Sequence, residues 1–408
     1  MKPLIYLYQE QLQDFLNSKT EAVGVAYEWK GENVYHAYFN YPTVSPTGFP
    51  SLCLFSQGNK NIELVIRDFL NSNQEKINSS VIIGIQFNME QGTVTKKGII
   101  FDGNEFKDAE VKYVPTKSEL YTRSKGLLEV GALEQKRVLI VGLGSGGASV
   151  AVELAKAGIG NFTLVDFDRI ELHNIARHIC GVNELGRLKT NAVKDAILLK
   201  NPYAKIRTYD FDMNAHLDII EQEVIEADLT IAATDSTDSR FQLNAFLLKH
   251  KKTGLFGRVV TRAEGGDVLR VRPGGPCYAC ITGSAWYNHA DEISDMKRAR
   301  ESGVIPAYAS EEDAQAMVQV GLSTDIAPIN IMTVKLALLE LSRGTECEIS
   351  SLDNELTYDY YIWANRRNNH YIKWAPFNNN PNRNLPTILQ WYGVKISKDI
   401  GCLECNYG

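Results

Sequence analysis

Residues 138–168 read VLIVGLGSGGASVAVELAKAGIGNFTLVDFD, and their types and spacing point to phosphate chemistry. Gly142, Gly144, Gly146 and Gly147 follow four apolar residues and precede a helical pattern through Val150, Leu154 and Ala157. Glycines in that place let backbone N–H groups approach a phosphate at a helix N-terminus. A second apolar run, 162–165, ends on Asp166, an acid placed to take a ribose hydroxyl pair. A nucleotide binds here, and the loop alone first suggests a dinucleotide.

Three later features argue for a triphosphate instead. Directly after Asp166 come Asp168, Asn174 and Arg177 in FDRIELHNIARH, then Lys189 in GRLK at the start of a helical pattern. So much positive charge has no use at the ribose end of NAD, whereas the leaving pyrophosphate of a triphosphate must be neutralised. Asp235, in AATDSTDSR, sits after an apolar strand, where parallel sheets place their ligands, and a carboxylate there suits Mg²⁺. Finally, Cys277-x-x-Cys280 and Cys402-x-x-Cys405 have the spacing of a structural Zn²⁺ site, closed by four sulfurs. Asp168 joins Asp166 as a candidate nucleotide contact, although acids of its kind, like Glu171 and Asp238, more often sit solvated or cap a turn. His173 and His178 read as loop residues.

The elements that must position these groups alternate. Helices are expected over 183–199, 217–224 and 239–250, and strands over 206–209, 229–232 and 254–260. This pattern predicts an α/β fold, a Rossmann-like, mostly parallel sheet covered on both faces. Beyond Gly265 the runs 267–272 and 357–363 look antiparallel, with a long helix at 329–341 between them, and 282–326 reads as a long excursion. The expected division is an N-terminal α+β domain over 1–118, a connector over 119–132 and the nucleotide domain over 133–408. In the first domain, 23–29, 34–39, 81–87 and 97–101 read as strands and 62–70 as a helix. It offers no clustered chemistry, and partner recruitment or scaffolding is its expected role.

The 408 residues carry a net charge of −6, which argues against coating nucleic acid or a membrane surface. No apolar run approaches the ~20 residues that span a bilayer, and MKPLIYLYQEQLQDF does not read as a secretory signal. A soluble, cytoplasmic protein is expected. Seven cysteines in a chain of this length do not form a secreted disulfide framework.

From about Tyr121 onward the chain resembles the ThiF/MoeB-type adenylyltransferases, which share the catalytic domain of ubiquitin-activating enzymes. The resemblance rests on GLGSGG, VDFDRIELHNIAR, ELGRLK, ATDS, GGPCYAC and CLEC in combination. It implies that Asp166 holds the ATP ribose, that Asn174, Arg177 and Lys189 contact phosphates, and that Asp235 positions Mg²⁺ and the α-phosphate region. It implies that the four paired cysteines hold zinc. Arg123, in YTRS, resembles the family's arginine that reaches into a neighbouring subunit, which implies a homodimer. The implied reaction adenylates the C-terminal carboxylate of a ubiquitin-like or sulfur-carrier protein, with a conjugating or sulfur-transfer protein as the implied downstream partner.

Residues 281–346 contain no cysteine, so a thioester step on the crossing loop is not expected. Cys180 and Cys347 are the remaining candidates, and an inert thiol is the expected state of each. Within the same fold the rivals are a peptide adenylyltransferase and a tRNA-base dehydratase. From other classes come an NAD-dependent dehydrogenase and a non-catalytic scaffold subunit.

Overall fold

The computed structural model describes residues 2–8, 12–29, 31–42, 48–73, 81–90, 93–114, 117–260, 263, 265–284, 287, 321–365 and 388–407. The chain divides into two units, Met1–Thr122 and Arg123–Gly408. The expected excursion over 282–326 lies largely outside the described residues.

The first unit is a closed barrel. Its strands are β1 (Leu4–Leu7), β2 (Glu21–Trp29), β3 (Val34–Tyr38), β4 (Phe49–Gln57), β5 (Ile82–Glu90), β6 (Thr93–Phe101) and β7 (Phe106–Tyr113), in the order β1-β3-β2-β4-β5-β6-β7. Alternating side chains such as Ile5, Leu7, Phe55, Ile85 and Phe87 gather in one core with Leu12 and Phe15 of the helix Leu12–Ser18. The helix Ile62–Ser72, N-capped by Asn61, lays Ile62, Val65 and Ile66 against Leu54, Ile82 and Ile99. Gly84 makes room for it, because a Cβ there would lie 2.7 Å from Ile62 and 2.8 Å from Ile66. The expected strands and helix are present. The sequence reading missed β1, β4 and β7, and with them the closure, since β1 runs parallel to both β3 and β7.

The second unit holds an eight-stranded sheet. Its strands are β8 (Arg137–Val141), β9 (Asn161–Val165), β10 (Lys205–Tyr209), β11 (Leu229–Ala232), β12 (Gly254–Val259), β13 (Gly265–Val271), β14 (Tyr360–Ala364) and β15 (Gln390–Val394). The order is β10-β9-β8-β11-β12-β13-β14-β15, parallel from β10 through β12 and antiparallel beyond. This is the expected mixed α/β architecture. The helices Ser145–Lys156, Lys189–Leu198 and Ser323–Leu341 contribute to one apolar cluster, and Leu217–Glu226 and Thr237–Lys249 to another.

Two helix starts differ most from the sequence reading. The helix expected from 183 starts at Lys189, because 182–184 form a separate 3₁₀ turn. The long helix begins at Ser323 and tolerates Pro328 near its N-terminal end.

The topology locates the site. From β8 the chain moves outward to β9 and β10, then returns to the other side of β8 with β11. The connections therefore diverge between β8 and β11 and leave a crevice at their carboxyl ends.

Candidate active site

The glycines divide into two kinds. Gly142, directly after β8, has φ +90°, and a Cβ there would lie 2.7 Å from the backbone of Ala233, directly after β11. A Cβ at Gly147 would lie within 2 Å of the Gly142 carbonyl oxygen, at 1.9 Å. These two glycines let strand end, loop and helix pack together. Gly144 and Gly146 face open space instead: a Cβ at Gly144 meets nothing within 4 Å, and at Gly146 only Asn330 Oδ1, at 3.3 Å. Both line a cavity of about 1010 Å³. The helix Ser145–Lys156 starts at Gly144 without a side-chain cap. Its first N–H groups and its dipole favour an anion there.

Asp166, at the end of β9, is fixed by two backbone donors, Leu143 N–H to Oδ2 at 2.6 Å and Asp168 N–H to Oδ1 at 2.8 Å. Burial raises its pKa, opposed by Lys189 and by these donors. Lys189 opens its helix with its side chain buried, Nζ lying 2.6 Å from Asp168 Oδ2 and 3.9 Å from Asp166 Oδ1. Asp166, Asp168, Lys189 and the half-buried Arg177 all line the cavity.

His178 braces the same loop, a role the sequence reading missed. Its Nδ1 accepts the Cys180 N–H at 3.1 Å, so Nε2 carries the proton and donates to the Leu143 carbonyl at 2.8 Å. Burial lowers its pKa and favours this neutral form. Asn174 lies elsewhere: its Oδ1 accepts the Glu171 N–H at 2.9 Å in a reciprocal cap, and it does not line the cavity. Arg123 is exposed in a 3₁₀ turn, also away from the cavity lining.

Across the crevice, Asp235 stands exposed on the loop after β11 and lines the cavity. Thr234 Oγ1 accepts the Ser236 N–H at 3.2 Å, and Ser236 caps the helix Thr237–Lys249. Arg240, in the first turns of that helix, donates from Nη2 to the Thr234 carbonyl at 2.5 Å and also lines the cavity. In the sequence it reads as an ordinary helix-surface cation, and only its 7% exposure reveals it.

Elsewhere the cavity wall is apolar and aromatic, with Val260, Ile326, Ile329, Tyr278 and Tyr287. Arg258 stacks over the Tyr287 ring at 4.0 Å and pairs with Asp267 at 2.5 Å. The arrangement offers phosphate-directed charge and an apolar wall in one cavity.

Cys277, Cys280, Cys402 and Cys405 come together, their sulfurs all within 4.8 Å of one another. The separations 277–280, 277–402 and 280–405 are 3.8, 3.7 and 3.3 Å. Zinc–sulfur bonds of about 2.3 Å in a tetrahedron place sulfurs roughly 3.8 Å apart, so the cluster suits such an ion. The other two candidate thiols do not line the cavity. Cys180 is buried in the core and its pKa is pushed up to about 11 by burial. Cys347 is half-buried, 3.5 Å from Ser350 Oγ.

A switch-point crevice with a glycine loop, an acid after the second strand and a buried lysine defines a nucleotide-binding α/β domain. The ThiF family matches residues 121–359, more than half of the chain, and the chain belongs to that family. It is an ATP-dependent adenylyltransferase, and the dehydrogenase and scaffold alternatives fall away.

Molybdopterin-synthase adenylyltransferase of Escherichia coli K12 is 33% identical over 224 residues, covering 53% of this chain and 88% of that protein. Ubiquitin-like modifier-activating enzyme 5 of Drosophila willistoni is 29% identical over 235 residues, covering 53% of this chain and 58% of that one. A solved structure of E. coli MccB is 18% identical with a TM-score of 0.48, over 71% of this chain and 73% of that one. No helix among the described residues is long and apolar enough to cross a membrane.

Proposed function

We propose that the protein activates the C-terminal carboxylate of a ubiquitin-like or sulfur-carrier protein as an acyl-adenylate, releasing pyrophosphate. The observation that carries this reading is the single cavity in which Gly144, Gly146, Asp166 and Lys189 share a lining with an apolar, aromatic wall. The polar part suits ATP. The apolar part suits an extended, uncharged peptide tail. The kinship with an adenylyltransferase and a ubiquitin-like modifier-activating enzyme supports the same substrate class.

The chemistry needs no general base, because a C-terminal carboxylate is already ionised at neutral pH. One carboxylate oxygen attacks the α-phosphorus, the new C–O–P bond forms, and the bond to the β-phosphate oxygen breaks with its electron pair leaving on pyrophosphate. Catalysis is then positioning and charge neutralisation. In this reading Asp166 holds the ribose and the Gly144–Gly146 backbone cradles phosphate. Arg177 and Lys189 offset phosphate charge, Lys189 turning from Asp168 toward the nucleotide. Asp235, an exposed carboxylate on the cavity wall, fits the oxygen preference of Mg²⁺, which supplies charge neutralisation on the triphosphate. The four cysteines hold a structural Zn²⁺. Arg123 completes the site of a second copy in a homodimer, and Asn174 shapes the loop that presents Arg177. The barrel recruits the carrier or its downstream partner, and the enzyme works in the cytoplasm.

ATP–pyrophosphate exchange tests the reading, run with a panel of recombinant ubiquitin-like and sulfur-carrier proteins ending in a free glycine. Exchange dependent on one of them is the expected result. Tight ATP binding with no exchange for any member would overturn the substrate class.

A further inference from the structure

Among the described residues, five charged side chains are buried in the second unit: Lys189, Glu223, Arg240, Asp267 and Arg270. Four have an opposite charge beside them. Lys189 meets Asp168, Glu223 meets Arg207, Asp267 meets Arg258, and Arg270 meets Glu340 and Asp359. Arg240 has none among the described residues. One N–H donates to the Thr234 carbonyl, and its buried Nε has no hydrogen-bond partner among the described residues. A buried charge without a counter-charge costs several kcal/mol, and an orphaned donor adds to that cost. Such an arrangement persists where a ligand supplies the missing anion.

We propose that Arg240 receives the carboxylate of the acyl substrate and orients it for attack. This rests on the adenylation reading above. Two anions compete for such a cation, the nucleotide's phosphates and the carboxylate. In that reading the phosphates are held by the uncapped helix start at Gly144 with Arg177 and Lys189, both of which follow β9 in the chain.

Arg240 instead follows β11. The residue after it, Phe241, packs edge-on against Tyr278 at 5.2 Å, and Asn244, one helical turn on, accepts the Tyr278 N–H at 2.9 Å. Tyr278 OH in turn lies 3.3 Å from Tyr287 OH, on the apolar wall. Arg240 thus joins that wall to the loop carrying Asp235, where the α-phosphate is expected. Reaction needs the carboxylate about 3–3.5 Å from phosphorus, which brings it against a polyanion. Arg240 offsets that repulsion by holding one carboxylate oxygen while the other forms the bond to phosphorus. No proton moves, and the electron pair of the broken bond leaves with pyrophosphate.

The test is calorimetric, on the full chain with two probes. The first is AMPCPP alone. The second is a synthetic peptide ending in Gly-Gly, as free acid and as C-terminal amide, titrated into protein saturated with AMPCPP and Mg²⁺. The wild type is expected to bind the acid at least tenfold more tightly than the amide. Arg240→Gln should remove that preference and leave AMPCPP affinity within about twofold, with Arg240→Lys recovering part of the preference.

A tenfold loss of AMPCPP affinity in Arg240→Gln would make Arg240 a phosphate ligand and overturn the inference. A retained acid preference in a folded Arg240→Gln would also overturn it, leaving the adenylation reading intact. An absent acid preference in the wild type would sink the inference. Exchange with a full-length carrier then decides separately whether the adenylation reading fails with it. If Arg240→Gln does not fold, Arg240→Lys carries the test: an acid preference as large as the wild type's overturns the inference, and a reduced one supports it.

Discussion

The two units bury different things. Among the described residues, the polar side chains buried in the barrel are Ser51, Ser56 and Gln86, and none carries a charge. The described residues of the second unit bury five charges, and they serve different ends. Arg270 is enclosed by Glu340, Asp359 and two backbone carbonyls, a closed set that ties β13 to the long helix and to the segment before β14. Lys189 and Arg240 instead line the cavity. Burying charge is expensive, so a saturated set marks architecture, whereas a buried charge on a cavity wall marks a place kept for a ligand.

The largest effect expected from this contrast is on stability. Arg270→Met should destabilise the protein by about 3 kcal/mol, the low end for breaking a buried pair, because Arg343 and Arg272 still face Glu340 and Asp359. Urea denaturation measures it, and exchange activity per folded molecule should be unchanged. Lys189→Ala should do the reverse, lowering ATP–pyrophosphate exchange on the order of 100-fold with a smaller change in the urea midpoint. Equal activity losses in the two variants would erase the distinction between closed and ligand-facing charge. A smaller effect is expected at the cysteines. Cys280→Ser should release zinc, read by metal analysis, and lower the Tm of the second unit by roughly 3 °C, about 2 kcal/mol for a unit of that size. A variant with wild-type Tm and no zinc in either protein would refute the structural metal.

The sequence showed the ligand-facing side better than the closed side, for a physical reason. Gly142, Gly147, Asp166, Lys189 and the four cysteines act through local backbone geometry or short spacing, which a linear chain displays. Arg240 does not. It looks like any helix-surface cation until the fold buries it beside Thr234. Asn174 differs in another way: placed among cations it suggests a phosphate contact, and in the fold its Oδ1 accepts the Glu171 N–H in a local cap away from the cavity lining. Arg270 depends on partners 70 and 89 residues away. The barrel's closure depends on Leu4 pairing with both Val34 and Glu110, and no period in the sequence encodes that register.

The smallest predicted effect compares one histidine from each unit. His36 in the barrel accepts or donates a hydrogen bond with Tyr8 OH at 3.1 Å, and burial lowers its pKa. Burial also lowers that of His178, beneath the glycine loop. A histidine that is harder to protonate when folded lets the unfolded chain take up the proton first. Stability is therefore retained above the unfolded-state value near 6.5 and declines as pH falls below it. The urea midpoint should drop between pH 7.5 and pH 5.5, and His36→Gln and His178→Gln should each flatten that slope.

Nucleotide affinity should separate the two sites. Protonated His178 keeps its Nε2–H donor to Leu143 but can no longer accept the Cys180 N–H, so the turn over 178–180 beneath the glycine loop loosens and AMPCPP binding weakens in acid. In His178→Gln, affinity should be lower at pH 7.5 and its acid dependence reduced, whereas His36→Gln should keep the wild-type profile. An acid-sensitive AMPCPP affinity that survives His178→Gln unchanged would assign the effect to Asp166, the other buried titratable group of the loop.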